Sequence, residues 1–432
     1  MEKKREPRVL VISHNVFSET GNMGKTMKDM LSCLQPENLA QLYFHSERPT
    51  TKCCLKYYRI TDTDVLYSLI SRKAGGKTFG EAEIDENAVS SRIDTGLKAD
   101  IYQFARRRTP SIYILRNMLW KAGVWDSVKL ETWISEFRPD LIFFASGDYS
   151  FAYRVTETIA KKFDIPVVTW CCDDHYIGRP DHESILYRIN KRNLMKWVNR
   201  VMQKTRCVIT ISNKMQNDYR ILFHRPTVTM RISAGENRYK RCRQERKKIV
   251  YVGNLGVNRI SSIIELGSAL RKAAVPGLNS VDVFSGEKNP QILAQLTEEN
   301  GIHHHGAVST EEVEKILGSA RYVLHVEAFD EKSKLRTRFS LSTKIGECLQ
   351  SGACILAYGP QDISSMEYLQ EHSAAVCSDK TERLIRLMLE AEKDDLKYDM
   401  YVRNATELAE KNHNQEKNRT RMKELLIHAA DL

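Results

Sequence analysis

The sequence predicts an α/β protein made of two doubly wound, Rossmann-like halves. Short apolar runs such as RVLVIS (8–13), DLIFFASGD (140–148) and IPVVTWCCDD (165–174) alternate with helical stretches. Such interleaving is what a parallel sheet covered on both faces requires. The alternation stops in the charged stretch NRYKRCRQERKK and then restarts with KKIVYVG. A chain of 432 residues, 42% hydrophobic and 28% charged, has enough apolar sequence for two cores, in domains of roughly 150–200 residues each.

The first domain is expected over residues 1–238. Its opening strand passes through the polar loop HNVFSETGNMG into the helix KTMKDMLSCL. Residues 68–109 are polar, carry AGGKTFGEAEIDENA and do not share the rhythm; they are expected to form a long loop or insertion. A linker is expected at 239–248, followed by the second domain, 249–432. There KKIVYVG is a strand, 253–259 a glycine-containing loop and SSIIELGSALRKA a helix. VDVFSG is the next strand, and STEEVEKILGSA a helix with Ser309 and Glu312 in capping-box spacing. RYVLHVE and ACILAY are further strands, and the segment from Asp395 onward closes the same domain as helix. Open α/β sheets bind ligands at the carboxyl ends of their strands, so a ligand shared by two such halves is expected in a cleft.

The stretch RFSLSTKIGECLQSGACILAYGP, 338–360, carries the most chemistry. It reads as a polar loop, a helix capped by Ser342 with Ile345 and Leu349 on one face, a stop at Gly352, and an apolar strand. Free N–H groups and the positive end of the helix dipole make Ser340, Ser342, Thr343 and Lys344 a candidate anion site. Glu347 shares a face with Lys344; a carboxylate there accepts hydrogen bonds from sugar or ribose hydroxyls. Together they ask for a nucleotide sugar.

The net charge of +11 and pI near 9.0 call for a polyanionic neighbour. The densest basic segment, 187–206, mixes Ile189, Leu194, Trp197, Val198 and Val201 with Arg188, Lys191, Arg192, Lys196, Arg200 and Lys204. A basic amphipathic helix with a tryptophan can lie on an anionic membrane surface, or can pack on its own domain. Basic and aromatic residues do not interleave elsewhere, so nucleic acid is not an expected partner. No signal-peptide pattern opens the sequence and no long apolar run interrupts it, so a cytoplasmic protein is expected, peripheral on the inner face of the membrane if the basic helix docks there rather than on its own domain. Ten scattered cysteines without a CxxC are expected to be reduced.

On the first domain, the loop from His14 to Lys25 is the expected acceptor surface, with Asn22, Gly24 and Lys25, and Asp148 ends another strand at the same edge. Asp173, Asp174 and His175 end a third; they can take a hydroxyl proton, orient a sugar, or cap a turn. The P-loop-like SETGNMGKT has Glu19 where that motif needs glycine. Three adjacent histidines, 303–305, cannot all face one ion on a strand, so no metal is assigned.

In order and spacing, NMGKTMKDML, PDLIFFASGDYSF, PVVTWCCDDHY, YVGNLGVNR, GAVSTEEVEKILGSARYVLHVEAFD, FSLSTKIGECLQSGACILAYGP and NATELAEKNHN resemble the GT-B glycosyltransferases of bacterial capsule and exopolysaccharide synthesis. The resemblance spans nearly the whole chain. It implies transfer of a sugar from a nucleoside diphosphate sugar, a UDP-sugar, to a hydroxyl of a saccharide or lipid-linked saccharide. It implies no metal and no cofactor, with retention the preferred course. Gly253, Asn254, Gly256, Asn258 and Arg259 would approach the diphosphate from one side, and Ser342, Thr343 and Lys344 from the other. Glu347 matches the glutamate expected on the ribose. The family's partner glutamate, eight residues earlier, is replaced by Phe339, and Glu327 is the candidate substitute, with Arg336 as a possible ion-pair partner. If the reaction inverts, Asp174 or His175 must be the general base. A nucleotide-sugar epimerase shares the fold, and a basic nucleic-acid-binding protein is the alternative of another class.

Overall fold

The computed structural model describes residues 5–19, 22–84, 109–177, 184–235, 239 and 242–431. The chain divides into two compact units, Met1–Met230 with Asn418–Leu432, and Arg231–Lys417. Most of the expected insertion, 85–108, and part of the expected linker, 240–241, lie outside the described residues.

Among its described residues the first unit has eight strands: β1 (Val9–Ser13), β2 (Leu39–Tyr43), β3 (Lys56–Arg59), β4 (Lys77–Phe79), β5 (Leu141–Ala145), β6 (Val167–Cys171), β7 (Thr205–Thr210) and β8 (Thr227–Thr229). Their order is β4-β3-β2-β1-β5-β6-β7-β8. All pairs are parallel except β3 with β4, where Tyr57 faces Phe79. Central β1 is buried on both faces: Val9, Leu10, Val11 and Ile12 are 0% exposed. Each such side chain contributes about 1.5–3 kcal/mol by leaving water, which explains why this strand reads as an unbroken apolar run.

Helices α1 (Asn22–Leu31), α2 (Asp62–Ser71), α3 (Pro110–Ala122), α4 (Val128–Phe137), α5 (Ser150–Lys162), α6 (Ile185–Lys204) and α7 (Asn213–Phe223) accompany this sheet. Their starts are chemically marked. Thr61 and Asp64 form a reciprocal capping box on α2, and Ser127, Ser184 and Ser212 accept from the third amide of α4, α6 and α7. Two expectations are corrected here. Helix α1 begins at Asn22, so Asn22, Gly24 and Lys25 sit in its first turn rather than in the loop before it. Residues 68–84 are not plain loop: α2 runs to Ser71, and β4 extends the sheet, with Phe79 buried under the Arg59 guanidinium at 5.3 Å.

The second unit holds β9 (Lys247–Val252), β10 (Val281–Phe284), β11 (Ile302–Gly306), β12 (Ala320–Val326), β13 (Cys354–Tyr358) and β14 (Val376–Ser378), in the order β11-β10-β9-β12-β13-β14. Every pairing is parallel. Its helices are α8 (Arg259–Ala273), α9 (Pro290–Leu293), α10 (Thr310–Ser319), α11 (Glu331–Thr337), α12 (Lys344–Gln350), α13 (Ser364–Glu371), α14 (Thr381–Lys393) and α15 (Asp395–Asn412). Ser309 and Glu312 form the expected capping box on α10. The strand β9 begins inside the stretch expected to be linker, because Ile249 and Tyr251 alternate into the core.

A last helix, α16 (Gln415–Asp431), changes units. Met422, Leu426 and Ala429 pack with Val9, Val11 and Leu31 in the first core. Arg206 donates to the Ala429 carbonyl at 3.0 Å. The expectation that 249–432 closes as one domain therefore fails at Asn418: an amphipathic face shows that a segment packs, but not against which core.

Candidate functional site

In the second unit the candidate residues sit where β9 and β12 end. The loop 253–258 is held by its own backbone and side chains: Gly253 N donates to the Phe284 carbonyl at 3.1 Å, and the Tyr251 hydroxyl to the Asn254 carbonyl at 2.7 Å. The Asn254 side chain accepts from Gly256 N. Val257 and Asn258 both have left-handed backbones, with φ of 56° and 54°, a turn that delivers the chain into α8. Asn258 is fixed from both sides, donating to Asp330 at 2.9 Å and accepting from the Ser261 hydroxyl at 2.7 Å.

Arg259, the first residue of α8, forks onto Glu327, its Nη2 lying 3.2 Å from Oε1 and 3.1 Å from Oε2. The pair is deep, with side chains 19% and 2% exposed. Burial pushes the Glu327 carboxyl above its usual range, with Arg259 pulling the other way. For Arg259, burial opposes the charge and the Glu327 carboxylate more than offsets it, so the guanidinium is held above its ordinary value. Glu327 is further tied by its backbone to Tyr358 and to the Ser262 hydroxyl. Two candidates drawn from distant parts of the sequence thus meet; the partner of Glu327 is Arg259, not Arg336, which is exposed.

The helix expected near Ser342 begins at Lys344, with Thr343 as its cap position. Ser342 still serves it, accepting from Lys344 N at 3.3 Å. Ser340 N bonds back to the Thr337 carbonyl at 2.8 Å, ending α11. Lys344 and Glu347 do share a face, and form an ion pair of 2.8 Å with both side chains about two-fifths exposed. Gly346 explains how α12 is seated: a Cβ there would lie 2.7 Å from Ala234 Cβ and 3.1 Å from His413 Nδ1. Phe339 is 3% exposed and belongs to the interior.

In the first unit the strand-end trio separates by role. Asp174 is 7% exposed and accepts from Tyr176 N, Ile177 N and the Tyr219 hydroxyl at 3.0, 3.1 and 2.8 Å. That is the turn-capping arrangement, and all three bonds fall on Oδ1. Asp173 is exposed, and the His175 carbonyl takes Lys191 Nζ at 2.7 Å. Asp148 accepts from the Tyr113 hydroxyl. Gly24 is not open backbone: a Cβ there would lie 2.2 Å from the Val16 carbonyl oxygen. Lys25 is exposed.

Elsewhere, His303, His304 and His305 turn to Glu298, the Ser285 carbonyl and Asp282 respectively. The ten cysteines are free thiols.

Sequence reasoning missed His325 and Gln41. His325 is 7% exposed, lies 3.8 Å from Glu327, has no hydrogen-bond partner at Nε2, and is held down to about 3 by burial and by Arg259. The period of two along β12, which puts residues 325 and 327 on one face, was the signal available. Gln41, 0% exposed in β2, accepts from Phe17 N at 3.0 Å and donates to Ser13 Oγ and the Asn15 carbonyl at 2.8 and 3.1 Å, fixing the turn after β1. A glutamine inside an apolar strand was its only mark.

The fold is that of solved GT-B glycosyltransferases. The chain matches the Anabaena protein HepE, solved with UDP, with a TM-score of 0.61 at 14% identity over 97% of this chain and 99% of that one. Sucrose-phosphate synthase from Thermosynechococcus elongatus matches at 0.59 and 11% identity, covering 98% of each. The UDP-forming α,α-trehalose-phosphate synthase of Burkholderia xenovorans, in complex with glucose-6-phosphate, matches at 0.56 and 11%, covering 97% and 100%. No protein-family model and no curated protein matches the sequence. At such identities the likeness is one of fold.

Proposed function

We propose that the protein transfers a sugar from a UDP-sugar to a hydroxyl of a saccharide or lipid-linked saccharide in cell-surface polysaccharide synthesis. The observation that carries this reading is the fold it shares with HepE, whose structures hold UDP and UDP-glucose, together with cations and hydroxyls at the strand ends of the second unit.

Two cations were expected on the diphosphate, and their surroundings rank them. The Lys344–Glu347 pair is half-exposed and three residues apart on one helix, an arrangement worth only about 0.3–0.5 kcal/mol. A diphosphate displaces Glu347 from Lys344 at little cost, and the freed carboxylate can then accept from ribose hydroxyls. Arg259 is bound far more firmly to buried Glu327. It contributes its position at the start of α8, while the net charge of its pair stays near zero. Lys344 therefore carries the stabilisation of the leaving diphosphate, where charge develops as the glycosidic bond breaks. No step in this reading calls for a metal or cofactor. On the acceptor side, Asp174 uses Oδ1 for Tyr219 and the turn; a base for an inverting course is Asp174 or His175, with exposed Asp173 beside them, and in a retaining course the leaving phosphate oxygen itself takes the acceptor proton.

The place of action in this reading is the inner face of an anionic membrane. Helix α6 turns Leu194, Val198 and Val201 inward and leaves Arg188, Arg192, Lys196 and Arg200 exposed. Among the described residues no helix is long and apolar enough to cross a membrane.

The test is calorimetric titration of UDP into wild type, Lys344→Ala and Arg192→Ala. Lys344→Ala is expected to weaken UDP by about tenfold or more and to lower turnover with a UDP-sugar by a similar factor. Equal UDP affinity in wild type and Lys344→Ala refutes the donor site.

A further inference from the structure

Three helices of the first unit, α3, α5 and α6, enclose a cavity of about 310 Å³. Its walls are of two kinds. Met118, Phe151 and Trp197 are apolar, Lys121, Arg154 and Lys196 bring three cations, and no carboxylate lines it. The absence extends along two of the walls, since neither α3 nor α6 contains an aspartate or glutamate. Arg154 is the least exposed of the cations. Its Nη2 donates to the Trp120 carbonyl, while its Nε is sealed from solvent without an acceptor. Burial lowers its pKa. A guanidinium held this way gains when an anion is brought to it.

The same helices leave large apolar side chains in solvent: on α3 Leu115 is 58% and Met118 62% exposed, and on α6 Ile185 is 74% and Ile189 48% exposed. A free phosphate would use the cations and none of these, and a neutral acyl chain would do the reverse. A molecule with a phosphate head and acyl tails uses both. We propose that this cavity binds the phosphate head group of an anionic membrane phospholipid, with the acyl chains along the exposed apolar side chains of α3 and α6. The inference rests on the reading of α6 as membrane-facing and sharpens it from a diffuse charge attraction to a defined site. It is independent of the donor site in the second unit.

The experiment titrates the full chain with dihexanoyl phosphatidic acid below its micelle concentration, with dihexanoylglycerol, and with inorganic phosphate. The short-chain phosphatidic acid is expected to bind, and the other two to bind about tenfold more weakly or less. Lys121→Ala with Lys196→Ala is expected to weaken it about tenfold, while Arg188→Ala with Arg192→Ala, which removes the same charge from exposed positions outside the cavity, leaves it unchanged. All four side chains are exposed, so neither pair of changes threatens the fold. Equal affinity in the Lys121/Lys196 variant and wild type overturns the proposal, as does inorganic phosphate binding as tightly as the lipid. Sedimentation with phosphatidylglycerol vesicles separates the two readings. Monomeric lipid bound at the cavity without vesicle binding keeps the site and sinks the membrane-facing α6. Vesicle binding that both variant pairs weaken equally, with no uptake of monomeric lipid, leaves only charge attraction and sinks the site.

Discussion

Replacing Arg259 with methionine should expose what the buried pair contributes. The guanidinium and the Glu327 carboxylate approach to 3.1 Å with the carboxylate 2% exposed. At an effective dielectric constant near 20 their attraction is about 5 kcal/mol before desolvation is counted. Methionine fills much of the same volume but leaves Glu327 charged and alone, and breaking one side of such a pair costs about 3–5 kcal/mol. The loss depends on pH. A carboxyl raised above its ordinary 4.5 binds more protons folded than unfolded, so its contribution to stability is full below that value and is lost as pH rises through the folded value. Without Arg259 the folded value climbs further, and the penalty grows by up to about 1.4 kcal/mol per pH unit across the widened window. Hydrogen exchange of β12 and β9 amides, corrected for intrinsic rates, reads this locally, which suits a chain of two units that need not unfold together. The deficit should be about 3–5 kcal/mol at pH 8 and smaller at pH 5.5. A deficit below about 1 kcal/mol at pH 8, or one that grows as pH falls, refutes the reasoning.

Gly24→Ala places a methyl against the Val16 carbonyl and should lower stability by about 1–3 kcal/mol, seen as a depressed thermal midpoint; an unchanged midpoint would show that the turn before α1 yields freely. His325, held near 3 against an ordinary 6.5, stays neutral when folded, so its contribution is present above pH 6.5 and lost as pH falls toward 3, at up to about 1.4 kcal/mol per unit. His325→Phe should flatten that part of the urea-midpoint profile, and an identical profile in the variant would count against a neutral buried imidazole. Asp62 accepts from both Arg116 and Trp120. Asp62→Ala should cost about 3–5 kcal/mol, because Arg116 is only 9% exposed; a loss under about 1 kcal/mol in chemical denaturation would mean that Arg116 finds other acceptors.

The parts of this protein that were legible in its sequence are those with local causes. A strand buried on both faces must be apolar throughout, so β1, β5 and β6 announce themselves; a capping box needs its two members three residues apart, so α10 was readable from Ser309 and Glu312. Three-residue β4 is too short for a period, and it joins the sheet edge by antiparallel pairing with β3, a partner distant in sequence, with Phe79 under Arg59. At the candidate site, Lys344 and Glu347 were readable as neighbours because helix geometry fixes that distance. The Arg259–Glu327 pair was not, since 68 positions separate its members and only folding of β9 and β12 side by side brings them together. Asp174 shows the opposite failure. A carboxylate after a strand looks the same whether it faces a substrate or Tyr219, and only the packing of α7 decides.

The return of α16 to the first unit also sets an order of events during synthesis. Met422, Leu426 and Ala429 fill the same core as Val9 and Leu31, yet the whole of Arg231–Lys417 is translated between Met230 and Asn418. At about 5–20 residues per second that interval is roughly 10–40 s. Throughout it the first sheet has its strands but an uncovered apolar seat, the kind of surface that recruits chaperones or neighbouring nascent chains. The second unit, continuous in sequence, has no such wait. The half of the molecule that emerges first is therefore the half completed last.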